Sequence, residues 1–266
     1  MLFTISVYTF SQGWIPQGAR SSALANSSVT LVDLFAYYHN PGALGQLESG
    51  GAAVHYETRF LLRELQTQSF VLAQPLKTGV MSLGGQFYGY ETFRTNRIGL
   101  GYSLLLADNF SAGVQVNYMS LRLDPQYGVK HTVSGEFGML TAVGEDVTLG
   151  ASVVNLGRNR LSEFQDDRFS TILRLGMSYK IMEDLLLLTE IEQEVTYSTR
   201  LRTGAEYSFK DMFFLRIGAQ TAPLELSFGF GGKFGRTQLD LGSQYNQILG
   251  WTPSASFIFN FEKVSE

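Results

Sequence analysis

The sequence predicts an all-β fold, a transmembrane antiparallel β-barrel of about fourteen strands with a small N-terminal plug. Three observations predict it. Fourteen short stretches between about residue 51 and Phe261 alternate apolar with small or polar side chains. The links between them switch regularly between tight turns and somewhat longer loops. Charged residues make up 17% of the chain, against about a quarter in ordinary globular domains, which leaves little to wet a large soluble surface.

Successive side chains of a strand point to opposite faces, so each stretch offers one apolar and one polar row. Phe257, Phe259 and Phe261 share one side of the last stretch, with Ser256, Ile258 and Asn260 on the other. From Phe169, the row Phe169, Thr171, Leu173, Leu175, Met177 and Tyr179 faces away from Ser170, Arg174, Gly176, Ser178 and Lys180, with Ile172 the exception. From Leu201, the row Leu201, Thr203, Ala205, Tyr207 and Phe209 opposes Arg202, Gly204, Glu206 and Ser208. A soluble β-sandwich alternates in the same way. Here the polar rows are rich in Gly and Ser and carry charges of both signs, which suits a confined interior. Most stretches also run about nine to twelve residues, the length a tilted strand needs to cross a bilayer.

In chain order, residues 1–11 are apolar and end with Thr9 and Ser11 at the small-residue positions a signal peptidase favours, but they lack a basic start. They read as a truncated signal peptide; the alternative is an extra strand over Leu2 to Phe10. Residues 12–50 differ in character, with Gly18-Ala19-Arg20-Ser21-Ser22-Ala23, Asn26-Ser27-Ser28 and Asn40-Pro41-Gly42-Ala43-Leu44. Small residues with Pro and Gly suggest a compact, irregular or briefly helical segment, and a barrel of this size needs something to fill its lumen. This segment is expected to be the plug, entering from the periplasmic end. Residues 51–262 form the barrel and 263–266 a periplasmic tail.

Tight links recur at every second connection: Lys77-Thr78, Asp108-Asn109, Gly144-Glu145-Asp146, Met182-Glu183-Asp184, Lys210-Asp211 and Gly235-Arg236. In outer-membrane barrels such turns face the periplasm and the longer loops face outside. That arrangement predicts a bacterial outer-membrane address with both termini periplasmic. The external loops then centre on Leu61 to Glu64, Tyr88 to Asn96, Asp124 to Val129, Gly157 to Arg168, Thr196 to Thr199, Ala222 to Pro223 and Gln247 to Thr252. None is long. Gly157 to Arg168 is the longest, and its Arg158, Arg160, Glu163, Asp166 and Asp167 match no calcium-loop spacing. Trp251 is placed to anchor the membrane interface as a girdle residue.

Composition and motifs exclude several functions. With no Cys there is no disulfide framework and no thiol chemistry. No apolar run reaches the length of a spanning helix, and a net charge of −4 with a pI near 5.5 offers no basic surface for nucleic acid. His39, His55 and His131 are scattered without metal-ligand spacing. There is no Gly-x-Ser-x-Gly elbow and no phosphate-cradling loop. The His-x-Ser pair of barrel lipases is also missing, since Glu57 follows His55 and Val133 follows His131. No enzyme activity, cofactor or metal is expected.

The most informative charges lie on the polar rows: Arg97, Glu136, Arg174, Glu190, Glu192, Arg202, Glu206 and Arg216. A basic residue facing lipid costs about 2–4 kcal/mol at the midplane, so these are expected to point inward. From Arg174 to Arg216 the signs alternate between neighbouring strands. That favours an ion ladder that fixes register and grips the plug over a selective pore lining, because close opposite charges neutralise one another. Arg20 and Asp33 are its candidate partners in the plug.

The small-residue run Gly18 to Ala25, an acidic residue at Asp33, the Asn40-Pro41 motif followed by Ala43 and Leu44, and then the first strand resemble the FadL superfamily of outer-membrane barrels. Asn155-Leu156-Gly157 at a strand end resembles the PorV and PorQ branch of Bacteroidota. The resemblance implies fourteen strands and an N-terminal hatch. It implies either uptake of hydrophobic molecules through a lateral opening, or, for the PorV and PorQ branch, a part in type IX secretion. The chain is shorter than typical members and its loops are reduced, which points away from a deep external ligand cup. The first expectation is therefore an accessory barrel that docks secretion-system or surface proteins. The alternative is a channel for small hydrophobic molecules. In either case outer-membrane lipid is a partner.

Overall fold

The computed structural model describes residues 16–90, 93–123, 128–156, 171–194 and 198–261. Fourteen antiparallel strands close on themselves: β1 (Gly51–Thr58), β2 (Gln66–Leu76), β3 (Gly79–Gly89), β4 (Phe93–Ala107), β5 (Phe110–Leu123), β6 (Val129–Val143), β7 (Val147–Val154), β8 (Ile172–Met182), β9 (Leu185–Glu194), β10 (Arg200–Phe209), β11 (Phe213–Gln220), β12 (Glu225–Phe234), β13 (Thr237–Asn246) and β14 (Gly250–Asn260). Each strand pairs with its sequence neighbours, and β1 pairs with β14 through Gly51↔Asn260 to Glu57↔Ser254, so no sheet edge remains. No described helix is long and apolar enough to cross a membrane.

Alternation positions the two faces. On β10, Leu201, Thr203, Tyr207 and Phe209 are exposed while Arg202, Gly204 and Glu206 are buried. On β8, Leu173, Leu175, Met177 and Tyr179 are exposed, and Arg174 and Ser178 are buried. Large apolar side chains therefore cover the outside, where a bilayer rather than water gives them favourable surroundings. The tight turns join β2 to β3, β4 to β5, β6 to β7, β8 to β9, β10 to β11 and β12 to β13, at the end where β1 begins and β14 finishes. Bulges at Leu105/Ala107 and Lys180/Met182 interrupt the ladder beside two of these turns.

Besides Val129, which opens β6 paired with Arg122, two loop boundaries differ from the sequence expectation. Arg94 and Asn96, placed in an external loop, belong to β4, where Arg94 pairs with Gly89 and Asn96 with Phe87. Trp251 and Thr252 belong to β14, paired with Tyr245 and Gln244. In both places polar or interfacial side chains near the rim hide a strand that backbone pairing still extends.

Residues 16–50 lie inside the barrel as a short helix, α1 (Ala19–Ala23), and 3-10 turns at Leu34–Tyr38 and Pro41–Gln46. Leu34, Phe35, Tyr37, Tyr38 and Leu44 pack with the inward wall residues Val71, Val80, Leu140 and Ile258 in one apolar cluster. This is why Ile258 sits on a polar row: it meets the plug. The segment 1–11, the loop residues Arg158, Arg160, Glu163, Asp166 and Asp167, and the tail 263–266 lie outside the described residues.

Candidate functional site

The interior surface between plug and wall gathers nearly all the charge identified on the polar rows. Arg97, Glu136, Arg174, Glu190, Glu192, Arg202, Glu206 and Arg216 are each no more than 6% exposed. They fall into three clusters.

In the first, the Arg216 Nε donates to Glu206 Oε2 at 2.6 Å and its Nη1 to Asp240 Oδ1 at 2.6 Å. Arg20 of α1 enters the same cluster, donating from Nε to Glu206 Oε2 at 2.8 Å and from Nη2 to Oε1 at 2.6 Å. Its Nη1 donates to Asp33 at 3.1 Å, so Asp33 braces Arg20 rather than the wall. Gly231 opens the space: a Cβ there would stand 2.7 Å from Arg216 Nη1. Asp240, fully buried, was not singled out from the sequence. The signal was present, because Leu239-Asp240-Leu241 alternates and both leucines are exposed.

In the second cluster, Arg202 donates to Glu192 from Nη1 and Nη2, both at 2.8 Å, and to Glu190 at 3.2 Å. Arg174 Nε donates to Glu192 Oε2 at 2.9 Å and Arg200 Nη1 to Oε1 at 2.8 Å. The free side of Glu190 faces the plug, where its Oε2 accepts the backbone N–H groups of Ser28 and Val29, each at 2.8 Å. Arg202 also reaches Asn26 O at 3.4 Å. The wall thus binds plug backbone as well as plug side chains, a role that no residue-type pattern in the plug could announce.

In the third, Arg97 Nη2 donates to Glu136 at 2.6 Å and Nε to Asn117 Oδ1 at 2.9 Å, and Asn117 also bonds Glu136. The guanidinium lies 5.8 Å from the Tyr37 ring centroid and 5.6 Å from that of Tyr38, within cation–π range. Asn40 and Pro41 make no ion pair and fix the plug by backbone contacts. Asn40 Nδ2 donates to Val29 O at 2.7 Å and Met139 O at 2.9 Å, its Oδ1 accepts from Gly42 N, and Pro41 O accepts from Ser103 Oγ at 2.6 Å.

Among the plug groups with altered acidities are His39 and Asp33. Burial, with the Arg174 charge next, lowers the His39 imidazole to about 3, although its Nε2 meets Gln17 O at 2.7 Å. Burial raises Asp33, and Arg20 offsets part of that rise. Among the described residues, no group of three or more His, Asp or Glu is placed to hold a metal ion.

Wall glycines meet the plug at several places, among them Gly84 against Tyr37, Gly150 against Val29 and Gly229 against Ala23, and one such stretch lies under an outer concavity. A trough of about 740 Å³ lies on the outer face of β8 to β12, ringed by Met177, Tyr179, Leu187, Ile217, Leu226 and Phe228. Its floor holds the small outward residues Thr189, Thr203, Ala205 and Ala219 with the backbone of Gly204 and Gly218. Directly behind is the plug: a Cβ on Gly204 would stand 3.0 Å from Leu24, and one on Gly218 would stand 2.6 Å from Ala25 N. Only one layer of backbone separates trough from plug. Trp251, 43% exposed, makes ring contacts with Phe228 at 5.2 Å and Tyr245 at 4.7 Å.

No protein-family model and no curated protein matches the sequence. Solved structures do match in fold. The Ralstonia pickettii toluene transporter TbuX superposes with a TM-score of 0.73 at 11% identity, covering 92% of this chain and 98% of its own. The CymD monoaromatic hydrocarbon channel gives 0.69 at 12% identity over 94% and 99%. A Pseudomonas aeruginosa FadL homologue gives 0.67 at 12% identity over 94% and 99%. The fold is that of the FadL-like outer-membrane barrels.

Proposed function

We propose that this chain is an outer-membrane channel that passes small hydrophobic molecules, with the plug as its internal stop. The single observation that carries this reading is the apolar trough on the lipid-facing wall, backed by Gly204 and Gly218 and then directly by Leu24 and Ala25. An apolar molecule resting in this open, mostly apolar concavity covers part of its surface there, and only a glycine-lined wall and a plug segment stand between that concavity and the lumen. The fold is shared with channels and transporters whose described cargo is toluene or other monoaromatic hydrocarbons. The internal charges fit a retaining role: they hold the plug at many points, and their mutual pairing leaves little net field to select ions.

The docking role in type IX secretion has no counterpart among these structures, and no described surface favours it. Outer-membrane residence with both termini periplasmic belongs to the same proposal, supported by the tight turns and both ends of the barrel lying on one side.

The test is uptake of labelled toluene by cells that lack other hydrocarbon channels, with and without this protein. Expression is expected to raise the initial rate, and Thr203→Trp, which fills the trough, to lower it while the barrel still assembles. Equal rates with and without the protein would defeat the channel reading. Stoichiometric co-purification of secretion proteins from native membrane would favour docking instead.

A further inference from the structure

The outward rows contain a second anomaly, separate from the trough. When the cross-strand pairs are followed around the barrel, Arg94 of β4 and Arg122 of β5 are the only Asp, Glu, Lys or Arg residues in the lipid-facing rows of the described strands. They stand directly opposite each other in the β4–β5 ladder, and both are exposed. No described residue gives either side chain a hydrogen bond or an ion pair. Like charges directly opposite in an antiparallel pair repel, and no described residue supplies this pair with a counter-charge.

The surroundings indicate what supplies it. The pair lies at the loop end of the barrel, where the cost of a lipid-facing charge falls because headgroups replace hydrocarbon. Beside Arg94 is a recess of about 250 Å³ lined by Gln66, Gln68 and Asn96 around Phe87, with no carboxylate among its described lining residues. Amides and a guanidinium make it rich in donors. Toward the midplane the same two strands present Ile98, Leu100, Val116 and Tyr118, all exposed and apolar. A polar, cationic recess above an apolar strip has the same order as a lipid, head above chain.

We propose that Arg94 and Arg122 together bind the phosphate of an anionic membrane lipid, with the Gln66 and Gln68 amides completing the site and the acyl chains lying along Ile98, Leu100 and Val116. Phosphate suits the site because its several oxygens can bridge two guanidinium groups at once, which a neutral headgroup cannot do. The lipid would convert a repulsive cross-strand pair into a clamp across β4 and β5. This inference does not depend on the channel reading.

The full chain in a mild non-ionic detergent would be titrated with diphosphorylated lipid A, its dephosphorylated form and inorganic phosphate. Retained lipid would be measured by native mass spectrometry, alongside the thermal midpoint. The phosphorylated lipid is expected to bind on the order of tenfold more tightly than the dephosphorylated one, as charge-assisted hydrogen bonds imply. The double variant R94Q/R122Q is expected to lose that preference, while melting no lower than the natural chain in the absence of lipid. Equal lipid retention by the two proteins would overturn the proposal. Inorganic phosphate reproducing the full effect would overturn the lipid assignment. If the double variant does not fold, the two forms of lipid A on the natural chain decide the matter, and equal binding overturns the site.

Discussion

Arg20 of the plug grips Glu206 of the wall with both ends of its guanidinium fork, Nε to Oε2 at 2.8 Å and Nη2 to Oε1 at 2.6 Å, across 186 residues of sequence. Breaking one side of an enclosed pair leaves the other charge without compensation, typically at about 3–5 kcal/mol. Arg216 still pairs with Glu206 at 2.6 Å, so the lower end of that range is expected for Arg20→Met. Lys in place of Arg20 keeps the charge but not the planar fork and should recover only part of the loss. Denaturant titration of the purified barrel, with protease sensitivity of residues 16–50 as second readout, checks both variants.

Reversing the charge at Arg202 should be more damaging. Arg202 is the shared partner of Glu190 and Glu192 and also reaches Asn26 of the plug. Arg202→Glu would gather three carboxylates in a buried space, leaving Arg174 and Arg200 to offset them. Loss of the heat-modifiable band shift or of plug protease resistance is expected. Natural migration together with natural resistance would show that the cluster does not hold the plug.

Much of this organisation is legible in the sequence because a strand's period of two assigns every side chain to a face once one residue is placed. Arg97, Glu136 and Arg174 could be read inward from Ile98, Phe137 and Leu175 alone. The same rule marks Asp240 between two leucines. The partners are harder to read. Which plug residue meets which wall residue depends on how the barrel closes and how its strands stagger, and neither leaves a local trace, so Glu190 capping the Ser28 and Val29 amides was hidden. Alternation also fails at the rim, where Arg94 and Asn96 are polar on the outer face and therefore look like loop.

Glycines at the plug contact provide a steric test. A Cβ on Gly42 would stand 2.5 Å from the Gly138 carbonyl carbon and 2.6 Å from Met139 Cα, both backbone atoms of β6. Backbone cannot swing aside as a side chain can, so Gly42→Ala should displace the Pro41–Gln46 turn. The expected cost is about 1–3 kcal/mol, the usual range for overpacking. Gly135→Ala is the control: nothing lies within 4 Å of its Cβ position, and alanine in a strand should be neutral or mildly stabilising. Melting curves of the two variants should move apart, and equal losses would argue against close plug seating.

His39 predicts the response of the plug to acid. Its folded-state pKa is about 3 against an ordinary 6.5, because burial and the nearby Arg174 disfavour the imidazolium. In the released plug the ring takes up a proton as pH falls below about 6.5, whereas in the seated plug it does not until about 3. The released state therefore binds more protons through that window. The contribution of His39 is complete above the upper limit and declines as pH falls toward the lower one. Asp33, raised by burial, acts in the opposite direction, since its contribution is lost as pH rises. His39→Gln separates the two: an amide can still donate to Gln17 O, yet it does not titrate. Amide exchange of residues 16–50 followed from about pH 7 to about pH 4 should show protection weakening in the natural chain and a flatter profile in the variant. Parallel profiles would place the acid response elsewhere in the barrel.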